Sequence, residues 1–178
     1  HSAGTNLLSL INDILDLAKN ESGTVTLHIS AEHFSELRDY VDRTFRQLAQ
    51  DKGLDFTITL DAALPVAVQT DAKRLQQILK NLLSNAIKFT RQGHVALSIK
   101  PATSGWSADH ARLNAADRVV MFSVADTGIG IPPNKQKLIF EAFQQADGTT
   151  SRVYGGTGLG LSINRELTRL LGGEMKIQ

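Results

Sequence analysis

Residues 71–90 read Asp71-Ala72-Lys73-Arg74-Leu75-Gln76-Gln77-Ile78-Leu79-Lys80-Asn81-Leu82-Leu83-Ser84-Asn85-Ala86-Ile87-Lys88-Phe89-Thr90. Leu75, Ile78, Leu79, Leu82, Leu83, Ala86 and Ile87 recur at the spacing of an amphipathic helix, and Asp71 is placed to cap its start. At about 100° per residue, Arg74, Gln77, Asn81, Asn85 and Lys88 fall within an arc of roughly 80° on the other side. A solvated face is the ordinary explanation of such a stripe. Two asparagines one turn apart beside a lysine also suit a second use. Amide oxygens are hard neutral ligands for Mg²⁺, and an ammonium neutralises phosphate.

Two glycine-rich segments lie downstream. Residues 119–125 form a continuous apolar run, which predicts a strand in the middle of a sheet. Asp126-Thr127-Gly128-Ile129-Gly130-Ile131 follows it directly. A carboxylate at a strand end can accept a hydrogen bond from an exocyclic amine, and the glycines let a flat ring approach the backbone. An ordinary strand-to-helix turn is the plainer alternative. Further on, Gly155-Gly156-Thr157-Gly158-Leu159-Gly160-Leu161-Ser162 leads from a polar loop, 144–157, into a helix predicted over about 158–171. Free amides at a helix start cradle phosphate, although a flexible hinge would have the same composition. Leu161 stands where a Walker A loop needs lysine. The segment also lacks the preceding strand and final glycine of a dinucleotide fingerprint.

Elsewhere the pattern alternates between helix and strand. In residues 5–19, Leu7, Ile11, Ile14 and Ala18 form a helical seam widened by Leu8 and Leu15. That stripe needs a partner, either the rest of this chain or the other half of a helical hairpin. Val25, Leu27 and Ile29 alternate as in a short strand. A helix is predicted next, with Ser35 as its cap, Leu37, Val41, Phe45 and Leu48 as its apolar face, and Gly53 as its stop. Leu54, Phe56, Ile58 and Leu60 predict a strand that turns at 61–65, and Val95, Leu97 and Ile99 predict another. Residues 101–118 are polar and patternless, the mark of a surface insertion. Pro133 suits a first helical turn, and Met175 to Ile177 read as the beginning of a strand. The sum is an α+β fold, a mixed sheet covered on one face by helices.

Composition narrows the function classes. The 178 residues are 42% hydrophobic and 21% charged, enough for a real core and a soluble surface. A net charge of +1 gives no general electrostatic reason to expect nucleic acid or a membrane as partner. The absence of cysteine excludes disulfides, thiolate metal sites and a cysteine nucleophile. No run approaches the roughly 18 apolar residues of a membrane span, and the first residues lack signal-peptide character. Without an initiator Met, the sequence is expected to be an excised fragment.

In this order the segments resemble the nucleotide-binding boxes of the histidine-kinase catalytic domain, in the Bergerat-fold superfamily that also holds gyrase-type ATPases. Residues 71–90 resemble its asparagine box, Asp126 to Ile131 its first glycine box, Phe140-Glu141-Ala142-Phe143 its phenylalanine box and Gly156 to Leu161 its second glycine box. The resemblance implies ATP and Mg²⁺, with Asn85 as metal ligand and Asn81 and Lys88 near the phosphates. It further implies Phe89 beside the adenine, Asp126 on the adenine amine, and Gly128, Gly130 and Ile131 shaping the pocket. Residues 144–157 would be a lid from which Arg152 reaches the γ-phosphate. Phe143, Gly156, Thr157, Gly158, Leu159, Gly160 and Leu161 complete the implied nucleotide contacts, and Asn81, Lys88 and Arg152 the implied catalytic set. Phe143-Gln144-Gln145 and Thr150-Ser151-Arg152-Val153-Tyr154, before the glycines, are closest to hybrid sensor kinases.

The same resemblance implies two domains. Residues 1–22 would be the second helix of a dimerisation hairpin, and 23–178 the ATP-binding domain. Its implied partners are that dimerisation domain, in a homodimer, and a response-regulator receiver domain. It implies a cytoplasmic place, with any membrane reached only through parts outside this sequence. The family's acceptor histidine is followed by an acidic residue. The five here precede Ser2, Ile29, Phe34, Val95 and Ala111, so none qualifies. Past Gly172-Gly173 the family continues into a hairpin of which this sequence holds only the start. Two rivals share the fold: an ATPase of gyrase or mismatch-repair type, and a serine kinase. The ATPases activate water with a glutamate where this chain has Asn81, and an amide is a poor base.

Overall fold

A computed structural model of the chain describes residues 26–136, 138–140 and 160–177. The expectations for the helix at 5–19, for Val25, for the lid and for Phe143, Arg152, Gly156, Thr157, Gly158 and Leu159 lie outside the described residues.

The elements run β1 (Ser30–His33), α1 (Phe34–Asp51), β2 (Asp55–Leu60), β3 (Ala67–Thr70), α2 (Ala72–Phe89), β4 (His94–Ala102), α3 (Ala111–Ala115), β5 (Val119–Asp126), a 3₁₀ turn (Leu138–Phe140) and α4 (Gly160–Leu170). β4 is the middle of a three-stranded sheet, parallel to β2 and antiparallel to β5, and β1 pairs with β3 in a separate antiparallel ribbon. The sheet is mixed, as expected.

The decisive helix forms where its pattern places it. Asp71 caps α2 by accepting from the Arg74 amide at 3.2 Å, and its other oxygen accepts from the His28 amide at 3.0 Å. Leu75, Leu79, Leu83, Ala86 and Ile87 enter one core with Leu37, Val41, Phe45 and Ala49 of α1 and Val95, Leu97 and Ile99 of β4. Each large aliphatic side chain buried there is worth about 1.5–3 kcal/mol against leaving it in water. Ile78 instead joins Ile163 and Leu167 of α4 in a smaller cluster. α2 is thus held from two sides, and its polar stripe runs between them.

Several expectations are corrected. The first described strand is Ser30–His33, with Leu27 and Ile29 outside it and Ile29 exposed. The sequence pattern carries no sign of its antiparallel partner β3. His33, not Ser35, occupies the cap position of α1, and no side chain bonds there. Leu48 is 47% exposed while Ala49 is fully buried, because the buried face steps by four through Leu37, Val41 and Phe45 to Ala49. Among the described residues β5 pairs with β4 alone. Val120, Phe122 and Val124 pack on the core while Met121 is exposed. No α-helix starts at Pro133; turns lead to the 3₁₀ turn at Leu138–Phe140. Met175 to Ile177 form no strand. In the insertion, Pro101 and Ala102 extend β4, and Ser107 binds the Glu174 carboxylate through its amide (2.7 Å) and hydroxyl (2.6 Å).

Candidate functional site

Three elements converge: the C-terminal half of α2, the turn after β5, and the start of α4. Asn81 and Asn85 stand one turn apart on α2, and the Asn85 Nδ2 donates to Asn81 Oδ1 at 3.2 Å. Asn81 Nδ2 donates to the Gly160 carbonyl oxygen at 2.6 Å and to Asn164 Oδ1 at 3.2 Å. A Cβ on residue 160 would lie 2.6 Å from that nitrogen, so a larger residue there would displace the Asn81 amide.

The β5 turn packs on the C-terminal end of α2. Asp126 Oδ1 accepts from the Gly128 amide at 2.8 Å and from the Thr90 hydroxyl at 3.5 Å. Thr90 is fully buried, and its single hydroxyl hydrogen is shared with the Ala86 carbonyl, the nearer acceptor at 2.7 Å. A Cβ on residue 128 would meet the Phe89 carbonyl oxygen at 2.6 Å. The glycine is therefore required by the approach of the turn to the end of the helix. Thr127 fastens the turn to β4, accepting from the His94 amide at 3.0 Å. An open recess lies here, lined by Phe89, Arg91, Gln92, Thr127, Gly128 and Ile129. Gly130 takes a φ of +66° and is exposed, and the Ile131 carbonyl accepts from the Gln136 side chain at 3.3 Å.

Lys88 lies with its ammonium 5.0 Å from the centre of the Phe89 ring. Burial pushes its pKa below the usual lysine value. The ammonium is therefore partly stripped of water, a state in which an anion is bound more strongly.

The structure brings Asn81, Asn85, Lys88, Phe89, Asp126 and Gly128 together along the second half of one helix, with Gly160 and Leu161 beside Asn81 at the start of α4. Three residues escape sequence reading. Thr90 looks like a helix terminus, Asn164 like an ordinary residue of α4, and Lys52 like a solvated lysine. Lys52 in fact donates to carbonyls at the end of α2. Only the threonine, at the end of the asparagine-rich stretch, carries any signal. Among the described residues no group of three or more His, Asp and Glu side chains could hold a metal, so a cation here would depend on amide oxygens and on its ligand.

Residues 70–178 match the family described as histidine kinase-, DNA gyrase B-, and HSP90-like ATPase. The chain belongs to that family, as an ATP-binding catalytic domain of the histidine-kinase kind. It is 37% identical over 177 residues to the autoinducer 2 sensor kinase/phosphatase LuxQ of Vibrio vulnificus, covering 99% of this chain and 20% of that protein. It is 41% identical over 180 residues to the circadian input-output histidine kinase CikA of Synechococcus elongatus, covering 100% of this chain and 22% of that protein. The crystal structure of full-length ShkA in complex with AMPPNP superposes with a TM-score of 0.75 at 34% identity, over 96% of this chain and 32% of that one. The chain thus spans about a fifth of the length of the curated relatives it matches. No helix among the described residues is long and apolar enough to cross a membrane.

Proposed function

We propose that the chain transfers the γ-phosphate of ATP to a histidine on a dimerisation domain, and does not hydrolyse ATP as its main reaction. The observation that carries this is the state of Asn81. At the position where the hydrolytic relatives use a glutamate, its amide spends both Nδ2 hydrogens on Gly160 and Asn164 and its oxygen on Asn85. It has neither the basicity nor the freedom to activate water. What remains is positioning and charge neutralisation, the main needs of phosphoryl transfer.

The residues fit Mg-ATP. Among the described residues no hydrogen bond reaches the Oδ1 of Asn85, which leaves a hard oxygen available for Mg²⁺. Bound there, the cation would neutralise phosphate charge. Lys88 would add its partly desolvated charge, and Asp126 would accept from the adenine amine at the Gly128 turn, with Phe89, Gly130 and Ile131 bordering the base. Gly160 and Leu161, with Phe143, Arg152, Gly156, Thr157, Gly158 and Leu159, complete the proposed nucleotide contacts. We assign 23–178 to the ATP-binding domain and 1–22 to a helix of the dimerisation domain. The proposed setting is a cytoplasmic homodimer that passes phosphate on to a response-regulator receiver domain.

The test is incubation with γ-labelled ATP, with and without a supplied dimerisation domain, followed by acid. Acid-labile label on the acceptor is expected, because the N–P bond of phosphohistidine breaks in acid. Acid-stable label would favour a serine kinase, and rapid release of free phosphate without acceptor would favour the ATPase.

A further inference from the structure

The side-chain amides around α2 form a relay whose direction is set by two backbone carbonyls. A carbonyl oxygen only accepts, so the Ile78 carbonyl requires the nitrogen of Asn164 to face it, at 3.2 Å. The oxygen of Asn164 is then turned to Asn81 and takes one hydrogen of its Nδ2, at 3.2 Å. The Gly160 carbonyl takes the other, at 2.6 Å. With its nitrogen spent, Asn81 can meet Asn85 only with its oxygen, and Asn85 donates Nδ2 to it at 3.2 Å. Asn85 is thereby left with Oδ1 as its outward atom.

Asn164 is fully buried, so water cannot substitute for either of its partners. Rotating its amide would set oxygen against oxygen at Ile78 and nitrogen against nitrogen at Asn81. We propose that Asn164 is a positioning residue: acting through Asn81, it determines which atom of Asn85 is presented to a divalent cation. This rests on the Mg-ATP site proposed above. The logic is that of outer partners around metal ligands, which orient the ligand without touching the ion.

The experiment measures AMPPNP affinity by calorimetry over a range of Mg²⁺ concentrations and in EDTA. It uses the chain itself, Asn164→Val and Asn164→Ser, each with and without Asn85→Ala, with folding checked by thermal melting. Asn164→Val is expected to raise the Mg²⁺ concentration for half-maximal tight binding about tenfold, and to leave affinity in EDTA unchanged. Asn164→Ser should recover part of the loss, since a hydroxyl both donates and accepts. In the Asn85→Ala background Asn164→Val should add nothing. In the ligand-free protein the side-chain amide NMR signals of Asn81 and Asn85 should move together when Asn164 is changed. An unchanged Mg²⁺ midpoint in either folded variant, equal losses with and without Mg²⁺, or unmoved amide signals would overturn the assignment. If the unsubstituted chain binds no nucleotide, the proposed function falls instead, and the amide signals still decide whether the relay exists.

Discussion

The Lys52 ammonium donates to the Ile87 carbonyl oxygen across 2.7 Å. It also reaches the carbonyls of Lys88 at 3.2 Å and Thr90 at 3.4 Å. The last carbonyls of a helix have no partner within it and carry the negative end of its dipole. A cation just past the end of α1 thus closes the end of α2 that carries Asn85, Lys88 and Phe89. The core below holds the two helices together, and this contact caps the end of the second.

Replacing that cation should loosen the helix end. Lys52→Met is expected to cost about 1 kcal/mol, as a charge-assisted cap lost from a partly exposed site. Lys52→Arg should keep part of it. Urea unfolding at constant m reads the difference, and a Met variant as stable as the parent would show the contact to be idle.

Asp71 ties acid stability to the same helix. Burial favours its neutral form, but hydrogen bonds from the His28 and Arg74 amides and the Arg74 charge outweigh it, holding the carboxyl below its ordinary value of 3.8. With the folded pKa depressed, its contribution is full above the unfolded value and is lost as pH falls through the folded one. Asp71→Ala should cost about 1–2 kcal/mol at pH 7. Asp71→Asn, which can still cap, should cost less and should flatten the fall in stability below about pH 4. Denaturation curves at pH 7 and pH 3 check both statements.

Gly128 should tolerate no side chain. A Cβ there meets the Phe89 carbonyl at 2.6 Å and Asp126 Oδ1 at 2.7 Å, so Gly128→Ala must push the turn away from α2. A loss of about 1–3 kcal/mol of stability is expected, together with weaker nucleotide binding. Thermal melts and calorimetry would measure the two effects, and an unperturbed variant would mean the turn yields freely.

Asp126→Asn should weaken nucleotide binding by about tenfold or more if the carboxylate faces the adenine amine, since hydrogen bonds to charged groups are worth about 1.5–3 kcal/mol. The amide can still accept from Gly128, so the turn should survive. Unchanged affinity in calorimetry would remove Asp126 from the pocket.

Periodicity and local chemistry are enough to find α2, its Asp71 cap and the buried positions of β4. Each of these depends on residues within a few places of one another, where spacing alone decides which side chains share a face. The glycines after β5 are legible as a place of close backbone approach for the same reason, and at Gly128 the backbone approached is the end of α2. The misreadings have local causes too. β3 is only four residues long, half-exposed along most of its length, and too short to show a period. For β5, a mostly apolar run does not by itself say which strand will lie beside it.

The partner that each polar group finds is a different matter. Asn81 and Asn164 are 83 positions apart, and Lys52 and Ile87 are 35. Nothing in the spacing of either pair marks it, because a hydrogen bond between elements depends on how their helices are packed. That α2 presents asparagines and a lysine on one stripe, and that Gly128 and Gly160 permit close approach, follows from the order of residues and from nothing else. Packing α4 against α2 through Ile78, Ile163 and Leu167 is what places Asn164 beside Asn81 and sets the direction of the amides. Apolar burial fixes the position of the helices, and the two backbone carbonyls, which can only accept, fix the polarity of the side chains between them.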